Sequence, residues 1–120
     1  MKVAVTAQGQ DLSSLMDLRF GRAKWIHVVD TETGAHQVHD NTVHLNLPQG
    51  AGIQTGQKVA NLGVEAIITG NVGPNAFRTL HAANIKIFLA VQQTVEQAVT
   101  AFKGGQLEEV GQANVEGHWA

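Results

Sequence analysis

The chain has 120 residues, of which 43% are hydrophobic, a formal net charge of −2 and no cysteine. This length suits one domain, and the charge argues against a general nucleic-acid or anionic-membrane binder. The absence of cysteine excludes disulfides, thiolate-bound iron–sulfur clusters and cysteine nucleophiles. No stretch approaches the ~20 apolar residues of a membrane span and no secretory signal precedes the first strand, so we expect a cytoplasmic protein.

The first half of the chain predicts three strands. Apolar and β-prone runs place them at 2–7, 24–30 and 35–40. The glycine-bearing turn at Thr33-Gly34 joins the second and third strands, which predicts an antiparallel hairpin. A polar loop over 8–14 follows the first strand.

The second half alternates helices and strands. The pattern predicts a helix from Gly52 to Gly63, a strand at 64–69, a helix from Pro74 to Asn84, a strand at 85–89 and a helix capped by Thr94. This alternation implies right-handed parallel crossovers. We therefore expect one α/β domain over 1–105 with a mixed five-stranded sheet and helices on its faces. The polar residues 106–120 are expected to form a flexible tail.

Ligands of open α/β sheets bind beyond the carboxyl ends of the parallel strands. At that edge the predicted sheet gathers the loops 8–14, 70–75 and 90–94. Gly70-Asn-Val-Gly-Pro74 follows a buried strand and starts a helix. Such a turn exposes backbone N–H groups at the positive end of the helix dipole, so it favours anions without charged side chains.

A basic segment precedes the second strand. Arg19, Arg22 and Lys24 place three cations within six residues, and Gly21 lets the backbone bend between them. Guanidinium groups offer planar N–H forks that suit anions. The alternative is a solvated loop whose cations pair with Asp11 or Asp17.

Another glycine turn lies at 50–56. The spacing of its glycines differs from the dinucleotide fingerprint, and no strand precedes it. It predicts an anion-binding helix start or, alternatively, a plain helix start whose glycines pack on the sheet. The six histidines form no chelating pattern, because His36 and His39 point to opposite faces of a strand. Only His44, in the loop before Gly50, is a candidate ligand, and no catalytic constellation is evident.

Four segments in one order resemble the dinitrogenase iron–molybdenum cofactor biosynthesis family: Asp17-x-Arg-Phe-Gly-Arg-Ala, Gly50-Ala-Gly-Ile, Ile67-Ile-Thr-Gly-Asn-Val-Gly-Pro-Asn-Ala-Phe and Leu80-x-x-x-x-Ile-Lys-Ile. The resemblance covers about residues 1–105. Length and the lack of cysteine look most like the orange-protein branch of this family, from sulfate-reducing bacteria. The resemblance implies a ribonuclease-H-like α/β sheet of order 3-2-1-4-5 and the handling of molybdenum- or iron-containing sulfide clusters.

For the orange-protein branch, the resemblance implies a molybdenum–copper sulfide cluster bound without covalent protein ligands. Such a cluster is anionic and its metals already carry sulfide, so the protein need supply only N–H donors, cations and apolar walls. The implied contacts are Arg19, Phe20, Gly21, Arg22, Gly50, Ala51, Gly52, Ile53, Gly70, Asn71, Val72, Gly73 and Pro74. Ser13, Met16, Lys24, Trp25 and His44 are further neighbours on the same basis.

Three functions are consistent with these features. The first is a non-catalytic carrier or assembly protein for a metal–sulfide cluster, with cluster donor and acceptor proteins as partners. The second is a ribonuclease-H-like hydrolase or transferase, which needs clustered carboxylates around Mg²⁺, and the first strand carries none. The third is a protein-interaction module that binds a partner's tail in the glycine turn.

Overall fold

The computed structural model describes residues 1–42 and 50–111. His44 and residues 112–120 of the predicted tail lie outside these ranges. The described strands are β1 (Lys2–Ala7), β2 (Trp25–Asp30), β3 (His36–Asp40), β4 (Ala66–Thr69), β5 (Lys86–Leu89) and β6 (Glu108–Val110). The helices are α1 (Ala51–Asn61), α2 (Pro74–Ala82) and α3 (Val95–Lys103), with a 3₁₀ turn at Phe20–Arg22.

The strands form one mixed sheet in the order β3-β2-β1-β4-β5-β6. β4 pairs in parallel with β1 and β5, whereas β2, β3 and β6 join as antiparallel strands. The predicted order of the first five strands is therefore found, but the prediction of five strands was wrong. β6 lies within the predicted tail, and two of its three residues are glutamates, so no alternation of apolar residues marked it.

The sheet separates two hydrophobic cores. On one face α1 and α2 pack against Ile67 and the buried Phe20; on the other, α3 packs against Val5 and Ile68. Successive residues of a strand point to opposite faces, so neighbours such as Ile67 and Ile68 serve different cores. Both are fully buried. The prediction of helices on both faces is confirmed.

Local signals placed the helix ends close to their observed positions. Thr94 forms the predicted capping box with Gln97, and Pro74 occupies the first turn of α2. Gly63 has a φ of 74°, in the left-handed region expected just after α1. These ends bring the starts of α2 and α3 to the carboxyl edge of β4 and β5.

Candidate functional site

The segment that follows β1 returns across the carboxyl edge of the sheet. The Thr6 hydroxyl donates to the Asp17 carbonyl (2.7 Å), and the Asp17 N–H donates to the Thr6 carbonyl (2.9 Å). The Thr6 and Thr69 hydroxyls form a hydrogen bond with each other at 2.8 Å. These buried hydrogen bonds fix the segment against the ends of β1 and β4.

Gly70 is where this segment crosses β4. A Cβ atom on Gly70 would lie 2.8 Å from the Leu18 carbonyl oxygen and 2.9 Å from the Leu18 Cα. One residue further on, the Phe20 N–H donates to the Asn71 carbonyl at 3.1 Å. The missing side chain of Gly70 therefore makes room for Leu18, and this close crossing places Arg19 beside Asn71.

An open cleft of about 560 Å³ lies at this crossing. Its lining residues are Gln8, Asp17, Leu18, Arg19, Lys24 and Asn71. Within residues 1–42 and 50–111, no carboxylate lies within ion-pair distance of Arg19 or Lys24. The cleft thus presents two cations and two amide side chains beside an apolar wall, which suits an anion with a polarisable surface.

Asp17 contributes a carboxylate to the same cleft. Its Oδ1 accepts a hydrogen bond from the Arg19 N–H at 3.0 Å. Burial raises the pKa of Asp17, and this outweighs the opposing effects of the Arg19 N–H and the charges of Arg19 and Lys24. The predicted alternative, in which Asp17 forms an ion pair with the basic segment, is not what the structure contains.

The expected contacts in the segments 17–23 and 67–77 lie at different depths below the protein surface. Arg19, Lys24 and Asn71 line the cleft. Phe20 and Val72 are fully buried in the core, so their side chains support the cleft from behind. Gly21 and Gly73 are also buried, Gly70 is covered by Leu18, Arg22 is half-buried at the end of the 3₁₀ turn, and Pro74 is exposed at the start of α2.

The expected contacts at 50–53 are not among the residues that line this cleft. Ala51 and Gly52 are buried where α1 packs against the 3₁₀ turn, and Ile53 is half-buried. Asn41 links the two elements, because its Nδ2 donates to the Ala23 carbonyl (2.9 Å) and to the Thr55 hydroxyl (3.1 Å). The turn at Gly50 is therefore a neighbour of the basic segment.

The further candidates are dispersed. Ser13 borders a separate groove of about 450 Å³ along the start of α3. Met16 is buried in the second core, and Trp25 packs against that core. Lys24 alone of these candidates lines the cleft among the described residues, and His44 lies outside them.

Sequence analysis did not include Gln8, Asp17 or Leu18 among the binding residues. Gln8 directly follows β1, and the carboxyl end of that strand was the available signal. Asp17 and Leu18 belong to the segment that carried the resemblance. Their place in the cleft depends on the crossing over Gly70, which no local sequence pattern predicts.

A hydrogen-bonded histidine pair, the buried His27 and the half-buried His36, lies away from the cleft. His27 is fully buried, and its Nε2–H donates to the Gly9 carbonyl at 2.8 Å. Its Nδ1 is therefore the acceptor for the Nε2–H of His36, also at 2.8 Å. Burial lowers the pKa of His27, with a smaller effect in the same direction from His36 and opposing effects from Gly9 and Asp11. The two histidines connect the hairpin to the loop after β1.

Direct metal ligation has little support in the described chain. Residues 1–42 and 50–111 contain no group of three or more His, Asp or Glu side chains that could hold a metal ion. Within the same ranges, no helix is long and apolar enough to cross a bilayer. The polar groups that line the cleft are two cations, two side-chain amides and the carboxylate of Asp17.

Comparisons with known proteins agree with this architecture. Residues 1–105 match the model of the family described as dinitrogenase iron-molybdenum cofactor. The chain is 43% identical to the orange protein of Desulfovibrio gigas, solved in its apo form, with a TM-score of 0.92 over 95% of this chain and 96% of that one.

Two further relatives support the same assignment. A NifB-like protein from Thermotoga is 40% identical, with a TM-score of 0.83 over 97% of this chain and 98% of that one. An uncharacterized protein of Methanocaldococcus jannaschii is 30% identical over 112 residues, 91% of each chain. The chain belongs to the dinitrogenase iron–molybdenum cofactor family.

Proposed function

We propose that this protein is a non-catalytic carrier or assembly protein for an anionic metal–sulfide cluster, which it binds in the cleft at Arg19, Lys24 and Asn71. The observation that carries the proposal is the convergence there of two cations that have no carboxylate within ion-pair distance in the described chain. Family membership and the likeness to the orange protein support a cluster as the cargo.

The donor set fits a cluster whose metals already have sulfide ligands. With no cysteine in the chain, thiolate cannot replace those sulfides. Arg19 and Lys24 supply N–H donors and positive charge, the amides of Gln8 and Asn71 supply neutral donors, and Leu18 supplies an apolar contact. On the resemblance to orange proteins, we propose a molybdenum–copper sulfide cluster, with cluster donor and acceptor proteins as partners.

Buried side chains behind the cleft explain how such a site would hold its shape. Phe20 and Val72 lie fully buried directly behind the two segments that form the cleft. The hydrogen bond from the Phe20 N–H to the Asn71 carbonyl joins these segments. The backbone of the segments that form the cleft is therefore rigid, which reduces the entropy lost when an anion binds.

The carrier proposal is tested by reconstitution with tetrathiomolybdate and Cu(I), followed by visible absorption spectroscopy and elemental analysis. Replacing both Arg19 and Lys24 by alanine removes two charge-assisted contacts, so we expect at least a roughly tenfold loss of affinity. The matched control replaces Arg78 and Lys103, which are exposed cations on α2 and α3 outside the cleft. Equal affinity in the cleft variant and the parent would contradict the proposal.

The alternatives predict different results in the same samples. A ribonuclease-H-like hydrolase or transferase, which follows from the fold implied by the resemblance, predicts Mg²⁺-dependent nuclease activity. An interaction module predicts a colourless protein that co-purifies with a stoichiometric partner. No observation in the described chain favours either alternative, and β1 carries no carboxylate for a Mg²⁺ site.

A further inference from the structure

Asp17 opposes the positive charge of the cleft. Among the described residues that line the cleft it is the only acid, and the described charged groups that face it are Arg19 and Lys24. Its side chain is half-buried and forms no ion pair with either cation. A cleft that served only to attract anions would bind them more tightly without this carboxylate.

The position of Asp17 is fixed from both sides. Its backbone exchanges two hydrogen bonds with Thr6 through the Asp17 N–H and the Asp17 carbonyl. Its Oδ1 accepts from the Arg19 N–H, so the side chain cannot turn away without losing that bond. Asp17 is half-buried, so water screens its carboxylate charge less than at an exposed position, and a neighbouring anion is repelled more strongly.

We propose that Asp17 is a specificity-determining residue that excludes small, fully deprotonated oxyanions such as sulfate and molybdate while the cleft still admits a larger sulfide-coated anion. This inference rests on the proposed function. Oxyanion oxygens are compact acceptors that need strong donors on every side, and at Asp17 they meet another acceptor. A sulfide-coated anion spreads its charge over larger, weakly accepting atoms, so one nearby carboxylate weakens its binding less.

The test measures the affinities of molybdate, sulfate and tetrathiomolybdate by calorimetry for the parent and for Asp17→Asn. Asparagine keeps the Oδ1 acceptor for the Arg19 N–H, removes the charge and turns the second oxygen, an acceptor, into an N–H₂ donor. We expect molybdate and sulfate to bind at least about tenfold more tightly to Asp17→Asn, and tetrathiomolybdate to change by less than about threefold. Because molybdate and tetrathiomolybdate carry the same charge, their comparison isolates the effect of the oxygen and sulfur surfaces.

Asp11→Asn is the matched control, because Asp11 is exposed, lies outside the lining of the cleft and loses the same charge. We expect it to leave all three affinities within about twofold. The inference is overturned if Asp17→Asn tightens all three anions equally, leaves the oxyanions unchanged, or behaves like Asp11→Asn. A parent protein that fails to bind tetrathiomolybdate contradicts the proposed function instead, and the oxyanion measurements still decide whether Asp17 excludes oxyanions.

Discussion

The glycine turns at Gly70 and Gly50 look alike in sequence and differ in the folded chain. Each precedes a helix. The turn at Gly70 was predicted to bind anions through backbone N–H groups, and the turn at Gly50 was predicted either to do the same or to be a plain helix start. Gly70 is pressed against the Leu18 backbone, and its neighbour Asn71 lines the cleft. Gly50 has a φ of 81°, and a Cβ there would meet nothing within 4 Å among the described residues.

The comparison teaches that a glycine can be required for two unrelated reasons. At Gly70 the requirement is space, because another segment occupies the volume of a side chain. At Gly50 it is backbone conformation, because L-residues with a side chain rarely adopt a positive φ. Only the first arrangement brings distant segments together, and the cleft lies beside it.

Gly70→Ala should produce the largest effect. The added Cβ would lie 2.8 Å from the Leu18 carbonyl oxygen, so the backbone must shift, and we expect a loss of about 3 kcal/mol in the free energy of unfolding. Urea denaturation measures this, and Gly63→Ala, where nothing lies within 4 Å, provides the comparison of strain without a clash. A stability for Gly70→Ala within error of the parent would refute the close crossing.

A third glycine, Gly9, accepts a hydrogen bond from a histidine whose titration makes the stability depend on pH. The Gly9 carbonyl accepts a hydrogen bond from the Nε2–H of neutral His27, and burial lowers the pKa of His27 in the folded state. Below about pH 6.5 the unfolded chain takes up a proton at this residue that the folded chain does not, so stability falls as the pH drops, by at most about 1.4 kcal/mol per pH unit. His27→Gln should remove this slope between pH 7 and 5 in urea denaturation.

The control for the histidine experiment is His39→Gln, because His39 lies on the same hairpin and bonds only Gln37 among the described residues. We expect His39→Gln to keep the parent's loss of stability in acid. If His27→Gln also keeps it, the buried His27 does not account for the acid sensitivity.

Gly50→Ala should have a smaller effect than Gly70→Ala. The cost is that of an alanine in the left-handed region, about 1 kcal/mol, since there is no clash. Gly50→Asn should lose less, because asparagine tolerates this conformation better. Equal losses for alanine and asparagine, measured by thermal unfolding, would show that the backbone angle is not the reason for this glycine.

Asn71→Ala should have the smallest effect on stability. The side chain of Asn71 is half-exposed and has no hydrogen-bond partner among the described residues, so we expect a change within about 0.5 kcal/mol. The loss of one donor should weaken tetrathiomolybdate binding about fivefold. Asn61→Ala, at the end of α1 and outside the cleft, should leave the affinity unchanged; an equal loss in both variants would remove Asn71 from the site.

Much of the architecture was predictable because it follows from short-range rules. Period-2 and period-3.6 patterns marked the first five strands and three helices, and Pro74, Thr94 and Gly63 marked helix ends through backbone preferences that act within one turn. The basic segment and the turn at 70–74 were recognisable for the same reason, since each is continuous in sequence.

The tertiary structure alone decided which of these segments meet. β6 exists because the edge of β5 accepts three residues whose own sequence gives no strand pattern. Leu18 lies on Gly70, the 50–53 turn packs beside the 3₁₀ turn without lining the cleft, and Asp17 enters the cleft with Arg19 and Lys24. The pairing of β6 with β5, the crossing of Leu18 over Gly70 and the packing of the 50–53 turn join residues far apart along the chain, and shape complementarity in the packed core selects such contacts.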